Sequence, residues 1–218
     1  MYMPKYHALT ELDAMQAHID RHPLGAWVCL ADGEAHGSSG LVANHIPFFL
    51  DRTHGAQGRL IGHVSRANPV WRQLVGGTPS VVMFMGPQAY ITPTWYPGKQ
   101  EHGKVVPTWN YVTVHAHGVM RAVEDPDWML NMLHRLTDAQ EATRSKPWKV
   151  SDAPDEYVRK KLRAIVGIEL TIVRLEGRMK VSQDEDLADR HGTAEGLIEE
   201  KDSQAQEIAA LLLRKIQD

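Results

Sequence analysis

The stretch GHVSRANPVW at residues 62–71 carries three polar side chains where a predicted strand gives way to a predicted helix. Ser65, Arg66 and Asn68 offer a hydroxyl, a guanidinium and an amide. A guanidinium can bind two phosphate oxygens at once, and the first free N–H groups of a helix add partial positive charge. The spacing therefore indicates a site for a terminal phosphate monoester. An alternative interpretation stays open, in which Asn68 only caps the helix and Arg66 is solvated.

A second polar group, RMKVSQ at residues 178–183, ends the last predicted strand. Lys180 and Ser182 point to one face of that strand because side chains alternate along it, and Gln183 follows them. On its own, this segment is typical of an ordinary strand end.

The chain has twelve histidines, which raises the question of a metal site. His115 and His117 stand two residues apart on a predicted strand, so their imidazoles share a face and could hold one metal ion. The sequence contains neither an HExxH nor a CxxC motif, and we find no acidic residue nearby at ligand spacing. We therefore expect a structural or hydrogen-bonding role for this pair, and no metal.

The net charge of −3 argues against a chain whose whole surface binds nucleic acid, because such binding needs concentrated positive charge. Two short basic runs, RSKPWK at 144–149 and RKKLR at 159–163, are the local exceptions. Runs of this kind on a helix are usually a solvated face.

The N-terminal residues contain charges and prolines where a signal peptide needs an apolar segment, and the longest apolar runs, residues 26–31 and 208–213, are far too short to span a membrane. The single cysteine, Cys29, cannot form an internal disulfide and is predicted to be a buried apolar residue. We therefore predict a cytoplasmic protein that does not enter the membrane.

The elements that must position these residues follow from periodicity. A first helix is predicted over Thr10–Arg21, and a short one begins at Pro69. The segment 126–163 is predicted to form two helices, the first capped by Asp125, and the chain ends in an amphipathic helix over 203–216. Residues 182–202 are polar and contain glycine, which favours a loop. Strands are predicted in AWVCLA, GLVANHIPFFL, RLIGHV, SVVMFMG, YITPTWY, VVPTWNYVTVHAHGVM and, late in the chain, IVGIELTIVRLEG.

The tripeptide Pro-Thr-Trp occurs twice, at 93–95 and at 107–109. Strand-forming residues flank both copies, and PGKQEHGK lies between them. The pattern predicts the two arms of one hairpin, with each proline at a strand start or edge and each tryptophan covering a surface beside the loop. Simple core packing of both indoles is the alternative.

Taken in this order, GHVSRANPVW, GPQAYITPTWY, VVPTWNYVTVHAHG, AIVGIELTIVRLEG and KVSQ make the chain resemble the PaiB family, FMN-binding proteins often described as negative transcriptional regulators. The resemblance runs from the MYxP start to KVSQ, and residues after about 195 carry little of it. It implies a β-rich α+β fold, an FMN-binding split β-barrel with peripheral helices. The barrel core would span roughly 24–121 and 164–183 of a single domain, 1–218.

The resemblance also implies a homodimer with FMN at the subunit interface, and it suggests which residues bind the cofactor. Asp184 stands where family members commonly have asparagine. The implied cofactor-binding residues are Ser65, Arg66 and Asn68, supported by His63; Lys180, Ser182 and Gln183 on the late strand; and Trp109 and Asn110 beside the flavin.

Three hypotheses about function follow from the resemblance. In the first, the protein is a negative transcriptional regulator that senses flavin or its redox state, with DNA as a further partner. In the second, it is an FMN-dependent oxidoreductase, either similar to flavin or NAD(P)H reductases or haem-degrading. In the third, the barrel has lost the cofactor and serves as a dimeric binding module. The residues identify no dedicated acid or base, so we leave open whether the protein is an enzyme.

Overall fold

A computed structural model of the protein describes residues 1–30, 40–74 and 76–217. Two positions of the predicted elements lie outside these ranges: Ala31, the last residue of the strand AWVCLA, and Val75, in the helix predicted from Pro69.

The strands follow the predicted β-rich runs, and most helices lie where periodicity placed them. The strands are β1 (Ala8–Leu9), β2 (Leu24–Leu30), β3 (Leu41–Pro47), β4 (Phe49–Asp51), β5 (Arg59–Ser65), β6 (Thr78–Ile91), β7 (Thr108–Val123) and β8 (Ile165–Lys180). The α-helices are α1 (Leu12–Arg21), α2 (Gly98–Glu101), α3 (Pro126–Glu141), α4 (Asp155–Leu162), α5 (Leu187–Glu199) and α6 (Ser203–Gln217). Short 3-10 helices cover Lys5–His7, Pro69–Leu74, Pro93–Trp95 and Val150–Asp152.

The chain divides into two compact units. The predicted β-rich α+β class is confirmed, whereas the prediction of a single domain stays a prediction. Strands β6, β7 and β8 contribute residues to both units. The first unit consists of Met1–Met15, Met85–Val114 and Glu176–Asp218, and the second of Gln16–Phe84 and His115–Leu175.

In the second unit the strands follow the order β3-β2-β6-β7-β8-β5-β4. Strand β2 pairs antiparallel with both β3 and β6, and β5 pairs antiparallel with β4 and β8. Alternation along β2 buries Trp27 completely, and its indole N–H donates to the Ser80 hydroxyl at 3.0 Å. Cys29 is buried on the same face, as predicted, and burial raises the pKa of its thiol.

Helix α3 covers part of this sheet and contacts β4 and β5. Its start is the predicted one, because the Asp125 carboxylate accepts the N–H groups of Asp127 and Trp128 at 2.8 and 3.0 Å. Trp128 packs directly on the sheet at Gly167, where a Cβ atom would lie 2.4 Å from the indole. Glycine is therefore required at this position on β8.

In the first unit β6, β7 and β8 are neighbours, and β1 pairs antiparallel with β8. Helices α5 and α6 pack against each other beside these strands. The predicted C-terminal helix is confirmed as α6, and the Asp202 carboxylate caps it by accepting the Gln204 N–H at 3.2 Å. The buried cluster they share contains Ala89, Ile91, Tyr96, Val112, Val181, Ala194, Leu197, Ala205, Ile208, Ala209 and Leu212.

The prediction of a loop over residues 182–202 is wrong, because most of this segment forms α5. The prediction failed because of Gly192 and Gly196, since each glycine weakens an isolated helix by about 1 kcal/mol relative to alanine. Tertiary packing overrides this local preference, because both glycines lie against Trp95.

The two Pro-Thr-Trp copies take different conformations. The second begins β7, as predicted. The first forms the 3-10 helix Pro93–Trp95, capped by the Thr92 hydroxyl, which accepts the Thr94 N–H at 3.2 Å. It therefore lies in the connection between β6 and β7, which are neighbours in the sheet. The helix predicted from Pro69 is likewise a 3-10 helix.

Within the part of the chain that the structure describes, no helix has the length and apolar character needed to cross a membrane.

A buried carboxylate, Asp51 at the end of β4, ties together three elements of the second unit. It is only 3% exposed and accepts hydrogen bonds from Arg135 of α3 at 2.9 Å, Arg59 of β5 at 3.0 Å and the Thr53 hydroxyl at 2.7 Å. The hydrogen bond from Arg135, together with those from Thr53 and Arg59, holds the pKa of this carboxyl well below its usual range despite burial. The folded protein therefore favours the charged form.

We expect Asp51→Asn to lower the free energy of unfolding at pH 7 by about 3 kcal/mol, because it removes the buried negative charge that the partly buried guanidinium groups of Arg59 and Arg135 share. Since folding lowers the pKa of Asp51, its contribution is present above about pH 4 and is lost as pH falls below that value. Urea denaturation at pH 7 and at pH 3 should show the difference between wild type and variant shrinking in acid.

The matched control is Asp20→Asn, which removes an exposed carboxylate that pairs with Arg52. Exposed pairs contribute little, so this variant should lose less than about 1 kcal/mol. Equal losses in the two variants, or a difference from wild type that does not depend on pH, would contradict the role given to Asp51.

Candidate functional site

The predicted cofactor-binding residues divide between the two units. The second unit contains His63, Ser65, Arg66 and Asn68, and the first contains Trp109, Asn110, Lys180, Ser182 and Gln183.

In the second unit, Asn68 caps the 3-10 helix Pro69–Leu74. Its side-chain carbonyl accepts the Val70 N–H at 3.1 Å, while its amide donates to the Asn44 side chain at 2.8 Å. The capping interpretation of Asn68 is therefore correct. Ser65 is exposed, and its hydroxyl accepts the Ala67 N–H at 3.3 Å, which shapes the turn that leads out of β5.

The guanidinium of Arg66 is held in place on several sides. It donates to the carbonyls of Arg163 at 3.1 Å and Ile165 at 3.2 Å, and to the Glu124 carboxylate at 2.7 Å. It also lies 5.4 Å from the ring centroid of Trp71, whose indole N–H donates back to the Arg66 carbonyl at 3.0 Å. Arg66 is thus a positioned cation rather than a freely solvated one.

A cavity of about 440 Å³ lies beside this turn. Trp71 provides an aromatic wall, and a second guanidinium, Arg72, lies 5.5 Å from the same ring. Arg121 is a further basic residue here that the sequence did not reveal, because an exposed arginine on a strand carries no motif. The cavity lining consists of Trp71, Leu74, Gly76, Arg121, Ala122 and Glu124. We call Ser65, Arg66, Asn68, Trp71 and Arg121 the basic corner.

His63 lies on β5, two residues before Ser65, so the two side chains share a face. Burial lowers the pKa of His63, and its imidazole is therefore mostly neutral at pH 7. Its Nδ1 atom is buried without a hydrogen-bond partner among the described residues. A buried nitrogen of this kind is suited to a ligand or a water molecule.

In the first unit, Asn110 is fully buried at the start of β7. Its amide donates to the Ser182 hydroxyl at 2.8 Å, just after the end of β8. Ser182 has a φ of 60°, a left-handed conformation that residues other than glycine rarely adopt. The hydrogen bond thus joins two strand ends through a residue in a strained conformation.

Lys180 and Gln183 lie at the same junction between the start of β7 and the end of β8. The Lys180 ammonium donates to the Thr108 hydroxyl. The Gln183 side chain folds back on its own segment, accepting the Val181 N–H at 2.7 Å and donating to the Met179 carbonyl at 2.6 Å. The structure therefore brings Asn110, Lys180, Ser182 and Gln183 together as partners of neighbouring protein atoms.

Trp109 points away from this group, because adjacent residues on a strand face opposite sides. Its indole is 53% exposed and meets Tyr90 of β6 edge to face, with ring centroids 5.9 Å apart. The structure therefore does not bring the side chains of Trp109 and Asn110 together.

Trp109 lines a cavity of about 600 Å³ in the first unit, which we call the aromatic cleft. Trp95 forms another wall and lies directly on α5: a Cβ atom at Gly196 would be 2.4 Å from its indole, and one at Gly192 would be 2.1 Å from its carbonyl oxygen. The full lining is Gln88, Ala89, Tyr90, Thr92, Trp95, Trp109, Leu197, Glu200, Asp202, Gln204 and Ala205.

His115 and His117 lie two residues apart on β7, with ring centroids 6.4 Å apart. They share a face of the strand, as predicted, and the absence of a metal stays a prediction.

Comparison with known proteins finds a family whose sequence model matches most of the chain. Residues 1–174 match the sequence model of a family described as "Putative FMN-binding domain". An uncharacterized protein of Emericella nidulans is 33% identical over 227 residues, which covers 90% of each chain. The protease synthase and sporulation protein PAI 2 of Bacillus subtilis is 27% identical over 216 residues, covering 99% of this chain and 98% of that protein.

Two solved structures resemble the fold. The FAD and heme binding protein of Mycobacterium smegmatis has a TM-score of 0.57 at 19% identity, covering 80% of this chain and 73% of that one. The flavocytochrome Anf3 of Azotobacter vinelandii has a TM-score of 0.57 at 14% identity, covering 82% of this chain and 72% of that one. At these identities the likeness concerns the fold, which is that of the flavin-binding split barrels, as predicted.

Because Trp95 lies against α5, we expect an alanine in place of Gly196 to destabilise the protein, which is the reverse of its usual effect in a helix. Alanine normally stabilises a helix by about 1 kcal/mol relative to glycine. Here the added methyl group would overlap the indole, so we expect Gly196→Ala to lower the free energy of unfolding by about 2 kcal/mol. Urea denaturation followed by circular dichroism measures this change.

The double variant Gly196→Ala with Trp95→Ala tests the cause. Removing the indole removes the overlap, so the alanine should then be neutral or stabilising relative to Trp95→Ala alone. If Gly196→Ala is as stable as the wild type, the close packing of Trp95 on α5 is not a constraint.

Proposed function

The chain belongs to the family described as "Putative FMN-binding domain", and from that premise we propose that it binds FMN and holds the phosphate at the basic corner. Family membership agrees with the resemblance to the FMN-binding PaiB proteins seen in the sequence. The observation that carries the location is the positioned guanidinium of Arg66, next to a cavity that also contains the Trp71 indole and Arg121.

The residues of the basic corner fit a phosphate monoester. Arginine has five N–H donors, and the bonds from Arg66 to Arg163, Ile165 and Glu124 use only part of this capacity. The Arg66–Glu124 ion pair is solvent-accessible, with side chains 37% and 56% exposed, so it contributes little stability and can yield to a phosphate. The exposed Ser65 hydroxyl adds a neutral donor.

The neighbouring groups suit the rest of a flavin. The Trp71 indole is a flat apolar wall against which an aromatic ring can stack. His63 offers a neutral imidazole with a buried, unpartnered Nδ1 among the described residues. When bound, FMN would supply electron- or hydride-transfer chemistry, while these residues bind and orient it.

The predicted flavin contacts of the first unit stay predictions. Asn110, Lys180, Ser182 and Gln183 already bond to neighbouring protein atoms, which supports a structural role for them. Trp109 faces a cleft whose lining includes Glu200 and Asp202, a poor setting for a phosphate-bearing ligand.

The regulator and oxidoreductase hypotheses both start from bound flavin and differ in the second partner. Salt-sensitive binding of purified protein to its own promoter region would favour the regulator, against which the net charge of −3 argues. Rapid reduction of the bound flavin by NADH or NADPH in a stopped-flow experiment would favour the oxidoreductase. The cytoplasmic location also stays a prediction.

The homodimer is part of the same proposal. Leu30 of β2 and Leu41 of β3 pair across the two strands and are 64% and 59% exposed. Exposed leucines next to one another are typical of a surface that binds another protein. Sedimentation equilibrium of the purified protein would measure the oligomeric state.

We expect Arg66→Ala to weaken FMN binding about 10- to 100-fold, because a hydrogen bond to a charged group contributes about 1.5–3 kcal/mol. Arg66→Lys should recover part of the affinity, since lysine keeps the charge without the planar pair of donors. Quenching of flavin fluorescence on titration with protein gives the dissociation constant.

Arg121→Ala is a second test that leaves the backbone contacts of Arg66 intact, and it should also weaken FMN binding. Arg144→Ala is the control, because Arg144 is exposed and does not belong to the basic corner. If Arg66→Ala and Arg121→Ala both bind FMN with wild-type affinity, the phosphate is held elsewhere.

A further inference from the structure

The aromatic cleft of the first unit differs in charge from the basic corner. Two carboxylates, Glu200 and Asp202, belong to its lining, and both residues are exposed. Among the described residues that line it there is no lysine or arginine. The cleft is therefore negatively charged at neutral pH and attracts a cation rather than a phosphate.

Its aromatic walls suit the same kind of ligand. Tyr90 and Trp109 meet edge to face, so their rings form two sides of a corner, and they are 49% and 53% exposed. Trp95 adds a third ring. The face of an aromatic ring attracts a cation, most strongly for tryptophan, and cages of such rings bind quaternary ammonium groups.

The walls of the cleft are held in place before any ligand binds. Gly192 and Gly196 let Trp95 lie directly on α5. The Asp202 carboxylate accepts the Gln204 N–H at 3.2 Å, and the Gln206 amide donates to the Glu200 carbonyl at 3.2 Å. Little ordering is therefore needed on binding, which favours affinity.

We propose that the aromatic cleft is a second ligand site and that it binds a small organic cation with an alkylated or quaternary ammonium group. The volume of about 600 Å³ lies in the usual range for small-molecule pockets. The cation would lie against the rings of Tyr90 and Trp109, with Glu200 and Asp202 as counter-charges. This site does not depend on the proposed FMN site in the second unit.

Choline and 3,3-dimethylbutan-1-ol make a matched pair of probes, because the alcohol replaces the quaternary nitrogen by carbon and keeps the shape. Saturation-transfer-difference NMR, followed by titration at constant ionic strength, measures the binding of both through their nine-proton methyl signals. We expect choline to bind and the alcohol to bind at least about fivefold more weakly.

Substitution of the aromatic wall should remove this preference. Trp109→Ala should weaken choline binding at least about fivefold, and Trp109→Phe should keep most of it because an aromatic face remains. Trp148→Ala is the control, since Trp148 is a similarly exposed tryptophan, at 48%, outside the cleft lining.

The carboxylates are tested in the same way. Asp202→Asn removes a charge and retains a residue type that caps helices well, so α6 stays intact. Together with Glu200→Gln it should weaken choline binding and leave binding of the alcohol unchanged. Glu199→Gln removes a single charge outside the lining, as Glu200→Gln alone does within it, and should have no effect.

Several results would overturn the proposal. Equal affinity for the two probes would mean an apolar cleft without cation recognition, and no saturation transfer to choline would mean no site. Equal weakening by Trp109→Ala and Trp148→Ala, or by Glu200→Gln and Glu199→Gln, would mean that the effect is not local. Displacement of choline by FMN would assign the cleft to the flavin, whereas failure of FMN to bind at all would leave the choline result standing.

Discussion

Trp95 lies so close to α5 that the helix can carry no side chain at Gly196, which faces the indole, or at Gly192, which faces the Trp95 carbonyl oxygen. This close approach decides where α5 runs, and with it the position of Leu197, which is fully buried in the core shared with α6. The same contact makes Trp95 a fixed wall of the aromatic cleft. Core packing and the shape of the cleft in the first unit thus depend on one aromatic side chain and two missing Cβ atoms.

Charge distinguishes the two cavities. Guanidinium groups lie at the basic corner of the second unit, where Arg66 is held by backbone carbonyls and Arg121 lines the cavity. Carboxylates lie in the aromatic cleft of the first unit. Both cavities have an aromatic wall, against which flat or apolar ligand groups can pack. In the two proposals, the electrostatic sign of the neighbouring side chains is therefore what would select a phosphate in one cavity and an ammonium in the other.

Alternation along β7 lets neighbouring residues serve different purposes. Asn110 points inward, where its bond to Ser182 joins the ends of two strands. Trp109 points outward to the cleft. Buried polar groups need partners, and Asn110 finds one in a serine whose backbone conformation is strained. A pair of residues that the family resemblance places beside one ligand is thus divided between core and surface.

The sequence by itself determined the features that arise between near neighbours. The cap at Asp125, the periodicity of α3 and α6, the alternation of the strands and the capping role of Asn68 all depend on residues a few positions apart. Only the tertiary structure decided the rest. Arg66 is positioned by Glu124, Arg163 and Ile165, which are distant in the chain. The glycines of α5 argue locally against a helix, and the close approach of Trp95, through its indole at Gly196 and its carbonyl oxygen at Gly192, explains them. Local hydrogen bonds and periodicity are written in short stretches of sequence, whereas contacts between distant residues exist only once the chain has packed.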